Sequence, residues 1–129
     1  MDILNRILPV WSVRRTPSLD HGEEDALLNH ALGFAQEWGD QWLKPTQERL
    51  HRAYPSLSQA ELDRIDSVAQ AAMKFGHELV YSMAEKEGKG IRKSVWLEAL
   101  AALYPWVDRK NRRHLFSTGK YYVWKDGVG

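Results

Sequence analysis

The longest regular pattern in the sequence is an apolar repeat of helical period between Ser58 and Glu87. Because side chains three and four positions apart lie on the same face of an α-helix, this spacing predicts one long helix over about 58–87. Its apolar stripe is broad, which is typical of a central helix that several neighbours contact. The stripe consists of Leu62, Ile65, Val68, Ala69, Ala72, Met73, Phe75, Gly76, Leu79, Val80 and Met83.

Four shorter segments show the same period. The first helix opens at a capping box, Asp20 to Glu23, and its apolar stripe continues through Trp38 and Trp42. A short second helix follows Pro45 and ends before Pro55, since the residue before a proline avoids helical angles. A second capping box, Ser58 to Glu61, opens the long helix.

The last two helices are predicted over 92–103 and from the N-cap Asp108 to about Trp124, where Asp126-Gly127 ends the chain's helical pattern. The residues expected inward on the first of these are Val95, Trp96, Ala99, Leu100, Ala102 and Leu103. No segment alternates with period two, so no strand is predicted. The sequence therefore predicts an all-α fold, a compact five-helix domain built around the long helix.

The chain has 129 residues, a common size for one domain, so we expect a single helical domain over 1–129. Asp2, Asn5 and Arg6 interrupt the apolar run at the N-terminus, which is not the pattern of an export signal. We interpret residues 1–19 as an N-terminal arm that packs on the body of the domain. No internal repeat is predicted. The absence of cysteine excludes disulfides and thiolate chemistry and favours a cytoplasmic location, and no segment has the length of a membrane span.

Charge is unevenly distributed although the net charge is only +1. Residues 1–85 carry 8 Lys and Arg against 13 Asp and Glu, whereas residues 86–129 carry 10 against 4. An asymmetry of this kind indicates either a surface for nucleic acid or an acidic partner, or attraction between the two halves within one fold.

No arrangement of residues in the sequence indicates catalysis. The only Glu-x-x-His pair is Glu48 and His51, whereas a di-iron site in a helical bundle needs two such pairs and two further Glu. There is no Gly-x-Ser-x-Gly elbow, and Gly88-Lys89-Gly90 lacks the spacing of a phosphate-binding loop. We therefore predict a protein that is not an enzyme and that carries no metal site and no cofactor.

The last helix has two contrasting faces when its residues are placed at 100° intervals. The core side collects Leu115, Phe116, Gly119, Tyr122 and Val123. The opposite side collects Lys110, Arg113, Ser117, Lys120, Tyr121 and Trp124, with Arg109 at its edge. Tyr and Trp on the charged side of a surface helix are typical of a recognition surface. The sequence predicts a small binding or regulatory protein that contacts a protein partner through Trp106, Arg109, Lys110, Arg113, Lys120, Tyr121 and Trp124.

Other interpretations of the same region stay open. Residues 92–124 could form a helix-turn-helix of a nucleic-acid-binding regulator, in which Arg109, Lys110, Asn111, Arg112 and Arg113 reach the nucleic acid. Tyr121 and Trp124 could instead dock on the N-terminal arm, with the basic residues solvated or paired with the acidic first helix. A third hypothesis is an enzyme pocket beneath Trp38 and Trp42.

Overall fold

A computed structural model describes residues 20–37, 46–87 and 91–127. These ranges contain no strand and hold the helices α1 (His21–Ala35), α2 (Thr46–Ala53), α3 (Gln59–Glu87), α4 (Lys93–Leu103) and α5 (Arg109–Lys125). The predicted all-α class and the long helix are confirmed. The predicted N-terminal arm, the Trp38 and Trp42 pair and the Gly88-Lys89-Gly90 connector lie outside the described residues. No helix in the described part of the chain is long and apolar enough to cross a membrane.

Side-chain caps fix where three helices begin. The backbone N–H of Glu23 donates to Asp20 Oδ1 over 2.7 Å, and the N–H of Asn111 donates to Asp108 Oδ1 over 2.8 Å. At α3 the capping box is reciprocal: Glu61 N–H donates to Ser58 Oγ over 3.2 Å, and Ser58 N–H donates to Glu61 Oε1 over 3.0 Å. Each bond satisfies an amide that has no partner inside its helix, as the sequence predicts.

The predicted end of the first helix is wrong. α1 ends at Ala35, before Trp38 and Trp42. Its final turn tightens, because the N–H of Glu37 donates to the carbonyl oxygen of Phe34, only three residues back. The predicted end of the last helix is confirmed: Asp126 is the C-cap of α5, and Gly127 follows it with a φ of 70°.

The chain divides into two compact units, one ending at Ala71 and the other beginning at Ala72. Helix α3 therefore contributes its N-terminal part to the first unit and its C-terminal part to the second. That both units belong to one domain stays a prediction.

The first unit packs α1 and α2 against the N-terminal part of α3. Its buried apolar residues are Leu27, Leu28, Ala31, Leu32, Leu50, Leu57, Leu62, Ile65, Val68 and Ala69. Within this apolar surrounding Glu24, which is fully buried, pairs with Arg64 of α3. Arg49 of α2 pairs with Glu37 and lies 4.1 Å from the ring centre of Phe34, so a cation–π contact also joins α2 to α1.

The second unit packs α4 and α5 against the C-terminal part of α3. The indole Nε1 of Trp96 donates a 2.9 Å hydrogen bond to the carbonyl oxygen of Gly76, and its ring lies 5.0 Å from that of Phe116. The expectation that Val95 and Ala102 point inward is wrong, since both are exposed. Both side chains lie roughly 100 to 120° around the axis of α4 from Trp96. The buried stripe of this helix, formed by Trp96, Leu100 and Leu103, does not extend to that angle.

A Tyr-Pro turn occurs in both units, 50 residues apart. The two sequences are Tyr54-Pro55-Ser56-Leu57-Ser58 and Tyr104-Pro105-Trp106-Val107-Asp108. In both, the tyrosine N–H donates over 2.7 Å to the carbonyl oxygen four residues earlier, and its own carbonyl oxygen accepts over 3.2 Å from the N–H three residues later. The last residue of each turn then caps the next helix.

Two core positions keep the same 50-residue separation in the helices that follow the turns. Ile65 of α3 corresponds to Leu115 of α5, and Ala69 corresponds to Gly119, and all four positions are buried. The prediction that the sequence contains no internal repeat stays a prediction, and the structure adds a local likeness between the two turns. A helix, a Tyr-Pro turn and a capped helix occur twice, with little identity outside the turn.

Candidate binding surface

The turn between α4 and α5 is anchored by buried aromatic rings. The ring of Tyr104 lies 5.8 Å from that of Phe75 and 6.3 Å from that of Trp106. Trp106 is only 5% exposed. It was predicted as a partner-binding residue, but its ring is buried beside that of Tyr104 and is not part of an exposed surface.

The inward face of α5 is the one predicted. Leu115, Phe116, Gly119 and Val123 are buried, and Tyr122 is half-buried. Because these residues fix the rotation of the helix about its axis, they determine which side chains face outward.

The outward face of α5, called here the α5 face, also matches the prediction. It consists of Lys110, Arg113, Ser117, Lys120, Tyr121 and Trp124, with Arg109 at its edge, and every one of these residues is exposed. Trp124 is 76% exposed and Tyr121 is 47% exposed, and their ring centres are 6.1 Å apart. In the described part of the chain, these two and Val95 are the large apolar side chains that are exposed.

Three cations gather at the N-terminal end of the α5 face. Arg109, Lys110 and Arg113 line an open depression of about 560 Å³. No carboxylate within the described ranges pairs with any of them. The first turn of α5 also contains no acidic residue, although the N-terminus of a helix favours negative charge. The stability of α5 therefore does not account for this cluster.

The repeated turn offers an internal comparison for the α5 face. At the equivalent positions of α3, 50 residues earlier, there is one basic side chain and no aromatic one. The pairs are Ala60 and Lys110, Asp63 and Arg113, Ser67 and Ser117, Gln70 and Lys120, Ala71 and Tyr121, and Lys74 and Trp124. The same local backbone therefore forms without a basic, aromatic face, so that face is not a requirement of the turn.

Residues predicted to reach nucleic acid are not all available at the surface. Asn111 is 6% exposed, and its backbone N–H is held by the Asp108 cap. Arg112 is half-buried. Of the five residues in that prediction, Arg109, Lys110 and Arg113 are exposed, and they are the three that line the depression.

A second group of titratable side chains lies where α3 meets α5. The imidazole of His77 lies 5.7 Å from the ring of Tyr122. Burial, and then the neighbouring His114, lower the pKa of His77 below 6.5. In the turn between α4 and α5, burial raises the pKa of Tyr104 to about 12. Within the described ranges, no three His, Asp or Glu side chains are grouped so that they could hold a metal ion.

No protein-family model, curated protein or solved structure matches this chain.

Proposed function

We propose that this chain is a protein-binding module of the cytoplasm and that the α5 face is its recognition surface. The observation that carries the proposal is the exposed pair of adjacent rings, Tyr121 and Trp124, on a helix whose other face is buried. Trp, Tyr and Arg dominate the energetics of protein interfaces, and the α5 face presents all three. A chain without cysteine is suited to the reducing cytoplasm.

The exposed rings give a partner apolar area to cover. An aromatic side chain that passes from full exposure to full burial loses on the order of 150–250 Å² of accessible surface, and Trp124 and Tyr121 begin at 76% and 47% exposure. At about 25 cal/mol per Å², covering what remains exposed of the two rings together stabilises a complex by several kcal/mol before the costs of association. The residues that α5 contributes to the core of the second unit are on the opposite side of the helix from Trp124.

The proposal is tested by affinity capture with the full chain as bait. The variant Arg113→Glu with Trp124→Ala changes two exposed side chains and should lose the partner that the native chain recovers. The matched control is Asp63→Arg with Lys74→Ala, at the equivalent exposed positions of α3, and it should recover the partner at the native level.

Circular dichroism of each bait separates binding from folding. The proposal requires that the α5-face variant keep its helical signal while the partner is lost. If all three baits recover the same proteins in equal amounts, the α5 face is not the recognition surface. If the variant unfolds, Trp124 contributes to the fold and the surface is assigned wrongly.

A second candidate is a nucleic-acid-binding regulator, and the depression lined by Arg109, Lys110 and Arg113 favours it. Cations at the start of a helix that follows a turn are positioned to contact phosphate groups. This candidate predicts a mobility shift with DNA or RNA at low salt that weakens steeply as salt is added, through counterion release. The absence of any shift at low salt would rule it out.

A further inference from the structure

Three of the four cations on the α5 face lie at the opposite end from its rings. Arg109, Lys110 and Arg113 occupy the first two turns of α5, whereas Tyr121 and Trp124 lie within its last five residues. Ser117 lies between the two groups, and Lys120 lies beside the rings. At 1.5 Å per residue, Lys110 and Trp124 are separated by roughly 21 Å along the helix axis.

The basic end of the α5 face is exposed and available to anionic groups of a partner. Its three cations repel one another near the positive end of the helix dipole, where Asp108 is the capping carboxylate, and no ion pair holds any of the three within the described ranges. Arginine binds carboxylates in a two-pronged arrangement, and two of the three cations are arginines. A partner with clustered carboxylates therefore complements this end of the face.

The separation of charge from rings favours a polypeptide over a nucleic acid. Each nucleotide brings both a phosphate and a base, so surfaces that follow a single strand combine cations with stacking rings along their length. On the α5 face the rings lie within the last five residues of the helix, with Lys120 beside them, whereas the other three cations lie in the first two turns. Acidic and apolar side chains can be separated in this way along a polypeptide.

We propose that the partner segment is a polypeptide with acidic side chains at one end and an aromatic or aliphatic anchor at the other. The inference rests on the proposed function, since it names the partner of the same face. The acidic end binds Arg109, Lys110 and Arg113, and the anchor covers Tyr121 and Trp124. About six extended residues, or a helix of about four turns, span the roughly 20 Å between the two groups.

A selection from a random library of displayed 16-residue peptides tests the inference on the full chain. Peptides bound by the native chain are counter-selected against the variant Tyr121→Ser with Trp124→Ser. The expected survivors carry Asp and Glu at one end and Trp, Phe or Leu at the other. Synthetic copies should bind at least about tenfold more weakly to the Trp124→Ser variant, as loss of an interface anchor does.

Charge exchange then tests the orientation of the segment. The variant Arg109→Glu with Arg113→Glu should lose the selected peptides and regain binding when their acidic residues are replaced by Lys. The control Asp63→Arg should bind the original peptides as the native chain does. Rescue by the exchanged peptide is an outcome that damage to the fold cannot produce.

Each remaining outcome overturns a different statement. Selected peptides that depend on Tyr121 and Trp124 but carry no acidic bias, or that alternate charge and rings, overturn this inference and leave the proposed function standing. A library that yields no peptide dependent on the α5 face overturns both. A 12-nucleotide single strand that binds more tightly than any selected peptide assigns the face to nucleic acid, and self-association in analytical ultracentrifugation assigns it to a second copy of the chain.

Discussion

Gly119 of α5 lies so close to Val80 of α3 that a β-carbon at position 119 would stand 2.9 Å from Val80 Cγ2 and 3.0 Å from Val80 Cβ. No alanine fits at these distances without moving one helix, because the nearer atoms belong to a stiff, branched side chain. Gly119→Ala is therefore expected to lower the free energy of unfolding by about 1–3 kcal/mol, although alanine is the better helix former.

Urea denaturation of the two variants Gly119→Ala and Gly76→Ala measures this effect. A β-carbon at Gly76 would lie 3.4 Å from Leu115 Cδ1, the end of a flexible side chain, so Gly76→Ala should cost less. Equal stability of the native chain and Gly119→Ala would contradict the observed approach of α5 to α3.

The two tyrosines of the repeated turn should respond in opposite ways to loss of their hydroxyl groups. The hydroxyl of Tyr54 lies 2.6 Å from His30 Nδ1, whereas that of Tyr104 is buried without a hydrogen-bond partner in the described part of the chain. Removing an unsatisfied buried hydroxyl relieves a desolvation penalty, so Tyr104→Phe should raise the free energy of unfolding by about 1 kcal/mol. Tyr54→Phe should lower it by about 0.5–1 kcal/mol. Thermal melts of both variants check the difference in sign, and a loss of stability in Tyr104→Phe would contradict it.

Removing one partner of the buried ion pair in the first unit should lower the free energy of unfolding far more than replacing both partners with apolar residues. Glu24 is fully buried and pairs with Arg64, so Arg64→Met leaves a carboxylate without its cation and should cost about 3–5 kcal/mol. Glu24→Leu combined with Arg64→Met removes both charges and should recover most of that loss. Chemical denaturation of the single and double variants gives the coupling between the two residues. If the double variant is no more stable than Arg64→Met, the unpaired carboxylate of Glu24 is not the cause of the stability lost in Arg64→Met.

Stability should fall in mild acid because of His77. Its pKa is lowered in the folded chain, mainly by burial and next by His114, so the unfolded chain binds a proton at higher pH than the folded chain does. The contribution that neutral, buried His77 makes to the stability of the folded chain is fully present above about pH 7. It is lost as the pH falls from 6.5 through the folded-state pKa of His77.

His77→Gln should therefore flatten the dependence of the melting temperature on pH between about 7 and 5. His114→Gln should flatten it less, because burial of His77 is the larger cause. Identical pH profiles for the native chain and His77→Gln would show that another group controls acid stability.

Local sequence patterns were sufficient to predict the helices and the outward face of α5. The caps at Asp20, Ser58 and Asp108 act on amides within three residues, so their chemistry is visible in the sequence. The exposure of Tyr121 and Trp124 follows from helical period alone, once the opposite side of the helix is apolar.

Features that depend on tertiary packing were not predictable in the same way. Trp106 lies in a turn, where a side chain is usually solvated, yet its ring packs against Tyr104. Val95 is apolar and exposed, because α4 buries only a narrow stripe. The repeated turn was detectable from Tyr54-Pro55 and Tyr104-Pro105, but two shared residues at a single separation were too few without the matching hydrogen bonds.

Helix α3 passes without a break through the division between Ala71 and Ala72. Each of its backbone carbonyls near that point accepts from an N–H four residues further on, so a cut there would strip the partners from about four carbonyls and four amides. Dissecting the protein into fragments at the division would thus damage a helix end in each piece. Two overlapping fragments, 20–87 and 59–127, would each keep α3 whole and give both units a complete helix to fold against.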